Sequence, residues 1–389
     1  MANKEDIVLS VLMPCLNEEE AVGESIIKVR EAIQKLKVNA EILVIDNGST
    51  DNSVETAKNL GARVVFEPQK GYGNAYRKGF KEARGKYIVM ADADASYDVG
   101  KIAEFLQPMM NKEADFVMGS RFKGKIYPGA MPWANRYIGN PILTGILKYL
   151  FGVKISDAHC GMRAITKEAY QRLHIITTGM EFASEMIVSA LSHKLKLLEI
   201  PVDYYPRKGK SKLVPFKDAW RHIRFMLLFS PTYLFLAPGL LLFLSGMIIL
   251  TVMMLFGTLE IAGRVWDIHF MFVSSLLAIL GLQIVNLGFY ARTYSLNHGF
   301  TQEDKTMSRF WKYFNLERGL FLGAVMFLVG CGFNLFILWK WVSVDFGPLY
   351  EIRRAIFALT VTVIGAQTIF SSFFLSIMGI NIESDGKTE

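Results

Sequence analysis

Along residues 5–91, short apolar runs alternate with longer segments whose apolar positions recur every three or four residues. Ile7–Met13 is short and apolar, and Glu18–Leu36 follows with helical charge spacing. Glu41–Ile45, Arg63–Phe66 and Tyr87–Ala91 read as further strands, with helices over Ser53–Leu60 and Asn74–Ala83 between them. The alternation predicts an α/β fold with a mostly parallel sheet and helices on both faces. Sheets of that kind bind ligands at the carboxyl ends of their strands. Polar residues gather at those ends: Asn17 and Glu18 after the first strand, Asp46 and Asn47 after the second, Asp92 and Asp94 after the fourth.

Beyond residue 230 the pattern changes. Residues 231–257, 268–290, 319–339 and 355–379 contain no Asp, Glu, Lys or Arg, in runs of 27, 23, 21 and 25 residues. About 20 residues of helix cross the ~30 Å hydrocarbon layer. One central Arg costs roughly 2.5–3.5 kcal/mol on insertion, so four clean runs in succession predict four transmembrane helices. Buried helices of a soluble protein would be interrupted by charge sooner.

Composition sharpens the division. Apolar residues make up 51% of the 389-residue chain and charged residues 20%, which excludes disorder and is oily for a soluble enzyme. Residues 1–230 hold 33 of the 43 Lys and Arg and 26 of the 36 Asp and Glu, and so the whole net charge of +7. Arg292, Lys305, Arg309, Lys312 and Arg318 lie between the second and third runs. The first hairpin loop offers only Arg264, and the last has Lys340, Arg353 and Arg354. Positive charge stays on the cytoplasmic side, which places the N-terminal domain and the C-terminal tail in the cytosol.

The start of the chain faintly imitates a lipoprotein export signal, but its apolar run is short and Pro14 precedes Cys15 where a small residue is needed. A buried strand is the better reading. Three scattered cysteines suit a reducing compartment. Asp157, His159 and Cys160 have metal-ligand chemistry without a second cluster, so packing is the expectation there. The pI of 9.1 points to anionic partners, yet no helix-turn-helix, zinc-finger or RNA-binding signature accompanies it, so nucleic acid is not expected.

Asp92 and Asp94 alternate at a strand end, and on an extended chain they would share a face. Two such carboxylates can hold a hard divalent cation with room left for phosphate oxygens. A cation there acts as a Lewis acid on a departing diphosphate. Asp46-Asn47-Gly48 also fits a plain turn, with Ser49 or Asp51 capping the next helix. Met131–Phe151 and Phe216–Phe229 mix aromatics with Lys148, Lys217, Arg221 and Arg224, as interfacial helices do. Met307, Phe310, Trp311 and Phe314 repeat the stripe in the basic loop.

Met13-Pro14-Cys15-Leu16-Asn17-Glu18-Glu19, Asp46-Asn47-Gly48-Ser49-Thr50-Asp51 and Asp92-Ala93-Asp94 resemble the family-2 glycosyltransferases of the GT-A (Rossmann-like) fold. With Gly119-Ser120-Arg121, Ser156-Asp157 to Arg163 and Arg207-Lys208-Gly209-Lys210-Ser211-Lys212, residues 5–230 resemble the polyprenyl-phosphate branch, dolichyl-phosphate mannose and glucose synthases among them. The resemblance implies a cytoplasmic GT-A domain over 1–213, an interfacial helix over 214–230, an all-α membrane domain of four helices over 231–380 and a cytoplasmic tail over 381–389.

It further implies a multi-pass enzyme of the cell membrane that moves a hexose from a UDP- or GDP-sugar to a polyprenyl phosphate, dolichyl or undecaprenyl. The expected cofactor is Mg²⁺ or Mn²⁺, held by Asp92 and Asp94 with Ser96 at the third position. Pro14, Leu16, Glu18, Asp46, Asp92 and Ala93 would line the nucleotide. Arg121, Arg136 and Asn140 would hold the acceptor phosphate, and Arg207 would reach the donor phosphates from its loop. Arg suits both tasks because its planar fork pairs bidentately with phosphate. Glu181 and Glu185, four apart on a helix, either contact sugar hydroxyls or serve that helix. An aromatic is usual where Leu16 stands and a second acid where Asn47 stands. The rivals are a processive polysaccharide synthase, which lacks its Gln-x-x-Arg-Trp motif here, a flippase using Gln283, Asn286, Asn334 and Gln367, and a non-catalytic scaffold. Homo-oligomerisation is left open.

Overall fold

The computed structural model describes residues 7–209, 215–230, 232–261, 263–297 and 316–379. The stripe from Met307 to Phe314 and the basic residues Lys210 and Lys212 lie outside the described residues. Two compact units divide between Met226 and Leu227.

The first unit is built on a seven-stranded sheet in the order β3-β2-β1-β4-β6-β5-β7. Its strands are β1 (Leu9–Cys15), β2 (Ala40–Asp46), β3 (Arg63–Phe66), β4 (Tyr87–Met90), β5 (Phe116–Ser120), β6 (Arg163–Thr166) and β7 (Leu197–Pro201). β1 pairs in parallel with β2 and β4, β2 with β3, and β5 with β7. Only β6 runs against its neighbours. A four-residue strand leaving an irregular loop has no alternation long enough to read in sequence, and β6 was not anticipated.

Both faces of the sheet are covered, which is why the strands read as continuous apolar runs. Leu9, Val11 and Met13 pack with α1 (Val22–Leu36) and α4 (Ile102–Met110) through Ile26, Val29, Phe105 and Leu106. On the other face, Gly79 of α3 (Tyr72–Glu82) sits so close to Ile45 and Leu12 that a Cβ there would meet Ile45 Cδ1 at 2.8 Å. α2 (Ser53–Asn59), α5 (Asn140–Phe151), α6 (Lys167–Arg172), α7 (Phe182–Ser192) and α8 (Pro215–Leu228) complete the set. α1 starts at Val22, later than its charge spacing suggests. Residues 18–21 form a turn in which the Glu18 carbonyl accepts from Ala21 and Val22.

In the second unit, α9 (Ala237–Phe256), α10 (Ile268–Asn297), α11 (Leu316–Ser343) and α12 (Ile352–Gly379) follow, with a small hairpin of β8 (Leu259–Ile261) and β9 (Arg264–Trp266) between the first two. Leu234–Phe256, Ile268–Leu296, Leu316–Ser343 and Ile352–Met378 are each long and apolar enough to span a bilayer. The helices outrun the charge-free stretches and carry Arg292 and Lys340 near their ends, where long basic side chains can reach lipid headgroups.

Lipid tails are as apolar as the helices, so association here depends on close backbone approach and a few polar pairs. A Cβ on Gly281 of α10 would lie 2.2 Å from the Phe243 nitrogen of α9, and one on Gly365 of α12 would lie 2.4 Å from the Phe327 nitrogen of α11. Ser275 and Thr360 share a 2.7 Å hydroxyl hydrogen bond between α10 and α12. Gly281→Ala is therefore expected to force α9 and α10 apart and lower the melting temperature in detergent. Gly332→Ala has open space around its Cβ and helix propensity in its favour by up to about 1 kcal/mol, so it should leave the melting temperature unchanged or raised.

Candidate active site

Parallel pairing brings three strand ends together. Cys15 lies in register with Asp46, and Met90 with Leu12. The turns after β1 and β2 are knitted to each other: Asn17 Oδ1 accepts from the Thr50 amide at 2.7 Å, and Ser53 Oγ accepts from the Glu18 amide at 2.8 Å. Asp46 is buried and folds its own turn, Oδ1 accepting from Ser49 N at 3.0 Å and Oδ2 from Gly48 N at 3.4 Å. Pro14 and Leu16 remain partly exposed beside it. Asn47 is also buried, and its carboxamide is fully used. It donates to the Glu67 and Gln69 carbonyls at 2.9 and 2.8 Å and accepts from Gly71 N at 2.7 Å. An acid could not make both donations, which accounts for an amide at this position.

After β4 the chain does not stay extended. Residues 92–96 turn, with Ala95 at φ 59°, and Asp94 Oδ1 accepts from both the amide and the hydroxyl of Ser96, at 3.0 and 2.5 Å. Ser96, expected at the third metal position, is almost wholly buried and donates its hydroxyl to the Asp94 carboxylate. Ala93 is buried, and its carbonyl accepts from Ser25 Oγ. Burial, and then the neighbouring Asp94 charge, push Asp92 up to about 7. Its Oδ2 lies against Gly161, where a Cβ would come within 2.3 Å.

A cation already answers this negative charge. Arg207 donates through Nη2 to Glu18 Oε1 at 3.0 Å, and its Nη1 lies 3.7 Å from Asp94 Oδ2. The Lys208 amide donates to the Asp94 carbonyl at 3.2 Å, and its ammonium pairs with Glu24. Arg207 Nε is buried without a partner among the described residues. The described residues contain no group of three or more His, Cys, Asp or Glu able to enclose a metal. Asp92 and Asp94, the second already drawing a guanidinium, fit a hard divalent cation shared with a ligand's phosphate oxygens.

The acceptor-side expectations separate. Arg121 is buried and forked onto Asp157, Nε at 2.7 Å and Nη2 at 2.9 Å, with its guanidinium 5.1 Å from the Tyr204 ring. Two of its three nitrogens are thereby committed, so it is not the open phosphate ligand expected. Arg136 is partly exposed, and its guanidinium lies 5.3 Å over the ring of Tyr137. Asn140 is nearby in sequence, and its side chain donates to Met131 Sδ at 3.5 Å. Neither residue contacts the strand-end acids.

The two glutamates of α7 also part company. Glu185 is buried and accepts from the Ile176 and Thr177 amides at 3.0 and 2.9 Å and from the Thr177 hydroxyl. Its carboxylate is thereby committed to holding residues 176–177. Glu181 keeps Oε2 buried without a partner among the described residues. Tyr72, Tyr76, Gly161 and the Asp157 partner of Arg121 were missed as site elements. Only the tyrosines had a usable signal, a four-residue spacing on the helix that follows Gly71.

A carboxylate pair at the strand ends of a GT-A sheet, on a chain that also carries membrane-spanning helices, defines a membrane-bound glycosyltransferase. Residues 10–173 match the model of glycosyl transferase family 2, and residues 289–379 match that of the glycosyltransferase family 2 C-terminal transmembrane region. The low-salt glycan biosynthesis hexosyltransferase Agl6 of Haloferax volcanii is 38% identical over 371 residues, covering 95% of this chain and 89% of its own. A dolichyl-phosphate hexose transferase of the same organism is 31% identical over 212 residues, 54% of this chain and 87% of its own. Among solved structures, the glucosyl-3-phosphoglycerate synthase of Mycobacterium tuberculosis aligns over 58% of this chain and 80% of its own, at 20% identity and a TM-score of 0.46. The chain belongs to glycosyltransferase family 2, and it is a multi-pass membrane protein.

Behind the site, His222 of α8 shares a 2.8 Å hydrogen bond with Ser184 of α7 and lies 4.4 Å, ring to ring, from His159. Burial, and then Arg163, lower His222 to about 4. Burial and His222 lower His159, against the opposing pull of Asp157 and with further lowering from Arg121 and Arg163. Both rings are therefore neutral in the folded state and bind protons more readily when unfolded. Stability is full above the ordinary histidine value near 6.5 and falls as pH drops toward 4, by up to about 1.4 kcal/mol per unit for each histidine. Thermal melts between pH 7.5 and 4.5 should show this decline, and His222→Gln should make it shallower.

Proposed function

We propose that this enzyme transfers a hexose from a UDP- or GDP-sugar to a polyprenyl phosphate, dolichyl or undecaprenyl, at the cytoplasmic membrane face. One juxtaposition carries the reading. The unit in which Arg207 reaches both Glu18 and Asp94 also presents Trp133, Tyr137, Ile142 and Tyr149, each more than half exposed, on the segment that carries Arg136. The first group suits a diphosphate donor. The second is an apolar surface with a cation, suited to the bilayer and an anionic lipid head.

Asp92 and Asp94 would hold Mg²⁺ or Mn²⁺, which supplies Lewis-acid neutralisation of the departing diphosphate. Asp46, Pro14, Leu16 and Ala93 border the nucleotide at the strand ends, and Glu18 anchors Arg207 beside it. Arg207 moves between these carboxylates and the donor phosphates, and its unpartnered Nε gives it a further bond to make. Glu181 accepts a sugar hydroxyl, which satisfies its buried oxygen. Arg136 and Asn140 hold the acceptor phosphate, with Arg121 fixing the wall behind it through Asp157. That phosphate is already anionic at neutral pH, so the attack on the anomeric carbon needs no strong general base. Positioning and charge neutralisation supply the rate, and in-line displacement inverts the anomeric centre.

Membranes incubated with labelled nucleotide sugars should yield a labelled lipid. EDTA should abolish that product, and so should Asp94→Ala. Losing a charge-assisted hydrogen bond costs roughly 1.5–3 kcal/mol, about ten- to a hundredfold in binding. Arg136→Ala should weaken apparent affinity for polyprenyl phosphate while nucleotide binding, measured by calorimetry, stays nearly unchanged. Asp46→Ala should do the reverse. Equal loss of nucleotide binding in both variants would place Arg136 with the donor.

The cytoplasmic orientation rests on the basic loop between the second and third spans. A cysteine substituted at Gln302 should react only with reagents that reach the cytosol, and one at Glu260 only from outside. The opposite labelling would invert the topology.

A further inference from the structure

The side chains that control Asp92 lie on α3, a helix not assigned any part in the reaction so far. Its start is fixed from two sides. Asn47 accepts from the Gly71 amide at 2.7 Å, and Gly71, at φ 144°, packs so tightly that a Cβ would stand 2.3 Å from the Thr178 carbonyl oxygen. A Cβ on Gly73 would stand 2.6 Å from the Thr177 oxygen. The Asn74 amide donates to the Thr178 carbonyl at 3.2 Å. Glu185 in turn accepts from the Ile176 and Thr177 amides and from the Thr177 hydroxyl.

So fixed, α3 directs Tyr72 and Tyr76, one turn apart, to the same target. Their hydroxyls donate to one atom, Asp92 Oδ1, at 3.4 and 3.3 Å. The rings are themselves locked. Tyr72 meets Tyr76 edge-on at 4.8 Å, and Tyr76, wholly buried, stacks on Phe182 at 5.6 Å with planes 10° apart. Asp92 Oδ2 points to Gly161, where the absent side chain leaves it room. One carboxylate oxygen is therefore tied by two donors while the other is not. Phenylalanine would fill the same volume, so packing alone does not require either hydroxyl.

We propose that Tyr72 and Tyr76 are positioning residues that fix the rotation of the Asp92 carboxylate through Oδ1, and with it the affinity of the Asp92 and Asp94 pair for a divalent cation. The inference rests on the reading of Asp92 and Asp94 as a cation site. Donors that orient ligating carboxylates commonly govern metal affinity by ten- to a hundredfold.

The test uses full-length protein in detergent and Mn²⁺ as the probe, titrated alone and with UDP or GDP present, with free Mn²⁺ read by its paramagnetic resonance signal. The Tyr72→Phe/Tyr76→Phe double variant should bind Mn²⁺ ten- to a hundredfold more weakly, with its melting temperature close to that of the parent. Tyr72→Phe alone should fall between. Tyr170→Phe, whose ring stacks on Phe80 away from Asp92, should bind as the parent does. If the double variant does not fold, Tyr72→Phe decides, and parental Mn²⁺ affinity in that variant overturns the proposal. Parental affinity in a folded double variant overturns it as well, leaving the cation site intact. Failure of the unaltered protein to bind Mn²⁺ in all three conditions overturns the cation-site reading and this inference together.

Discussion

Two carboxylates close together at the end of a buried strand set the terms for everything around them. Neither burial nor mutual repulsion favours two negative charges there, and the rise of Asp92 to about 7 expresses both. The chain meets this with a cation on a loop and with donors behind. Arg207 reaches Asp94 and Glu18, Ser96 closes on Asp94, and two phenols close on Asp92. The arrangement remains short of positive charge, because one guanidinium faces several acids. Binding a diphosphate together with a divalent cation would relieve that imbalance and release Arg207 for the phosphates. On that reading, electrostatics would couple donor binding to the movement of one side chain.

The sheet serves this pair by geometry. β4 lies between β1 and β6, so its end opens beside the turns after β1 and β2, and both neighbours limit where the acids can go. Glu18 comes from one turn and Asp46 from the other. Gly161, just before β6, admits Asp92 from the opposite side. A side chain there would occupy the space of Oδ2, which explains a glycine at a position with no unusual backbone angle.

What the sequence made legible follows from period and chemistry. Strands β1 and β4 show as apolar runs because both of their faces are buried, and the four spans show because lipid excludes charge. The polar residues at the strand ends could be picked out because they interrupt those runs. Partner choice could not be read that way. Glu185 and Glu181 share a helix and a spacing of four, yet one is consumed by backbone amides of a loop nine residues upstream and the other is left open. Ser96 has a ligand's chemistry, but the turn at Ala95 brings it onto its neighbour's carboxylate. Such outcomes depend on loop conformation, which no periodicity encodes.

The two arginines of the acceptor side show how burial decides between chemically equal groups. Arg121 and Arg136 offer the same fork, but only Arg121 is enclosed with a carboxylate that is itself wholly buried. Drawing Arg121 away would strand Asp157 as an unpaired interior charge, at a cost of about 3–5 kcal/mol. That cost cancels the gain from a new phosphate contact, so Arg121 stays where it is and stiffens the end of β5. Arg136 loses only its position over the Tyr137 ring, a contact worth roughly 0.5–1 kcal/mol at an exposed site. On the reading proposed above, a lipid phosphate arriving along the exposed aromatic residues would find Arg136 nearly unencumbered. Sequence resemblance assigns both arginines to one task, whereas their surroundings commit Arg121 to Asp157 and leave Arg136 the fork that a phosphate would meet.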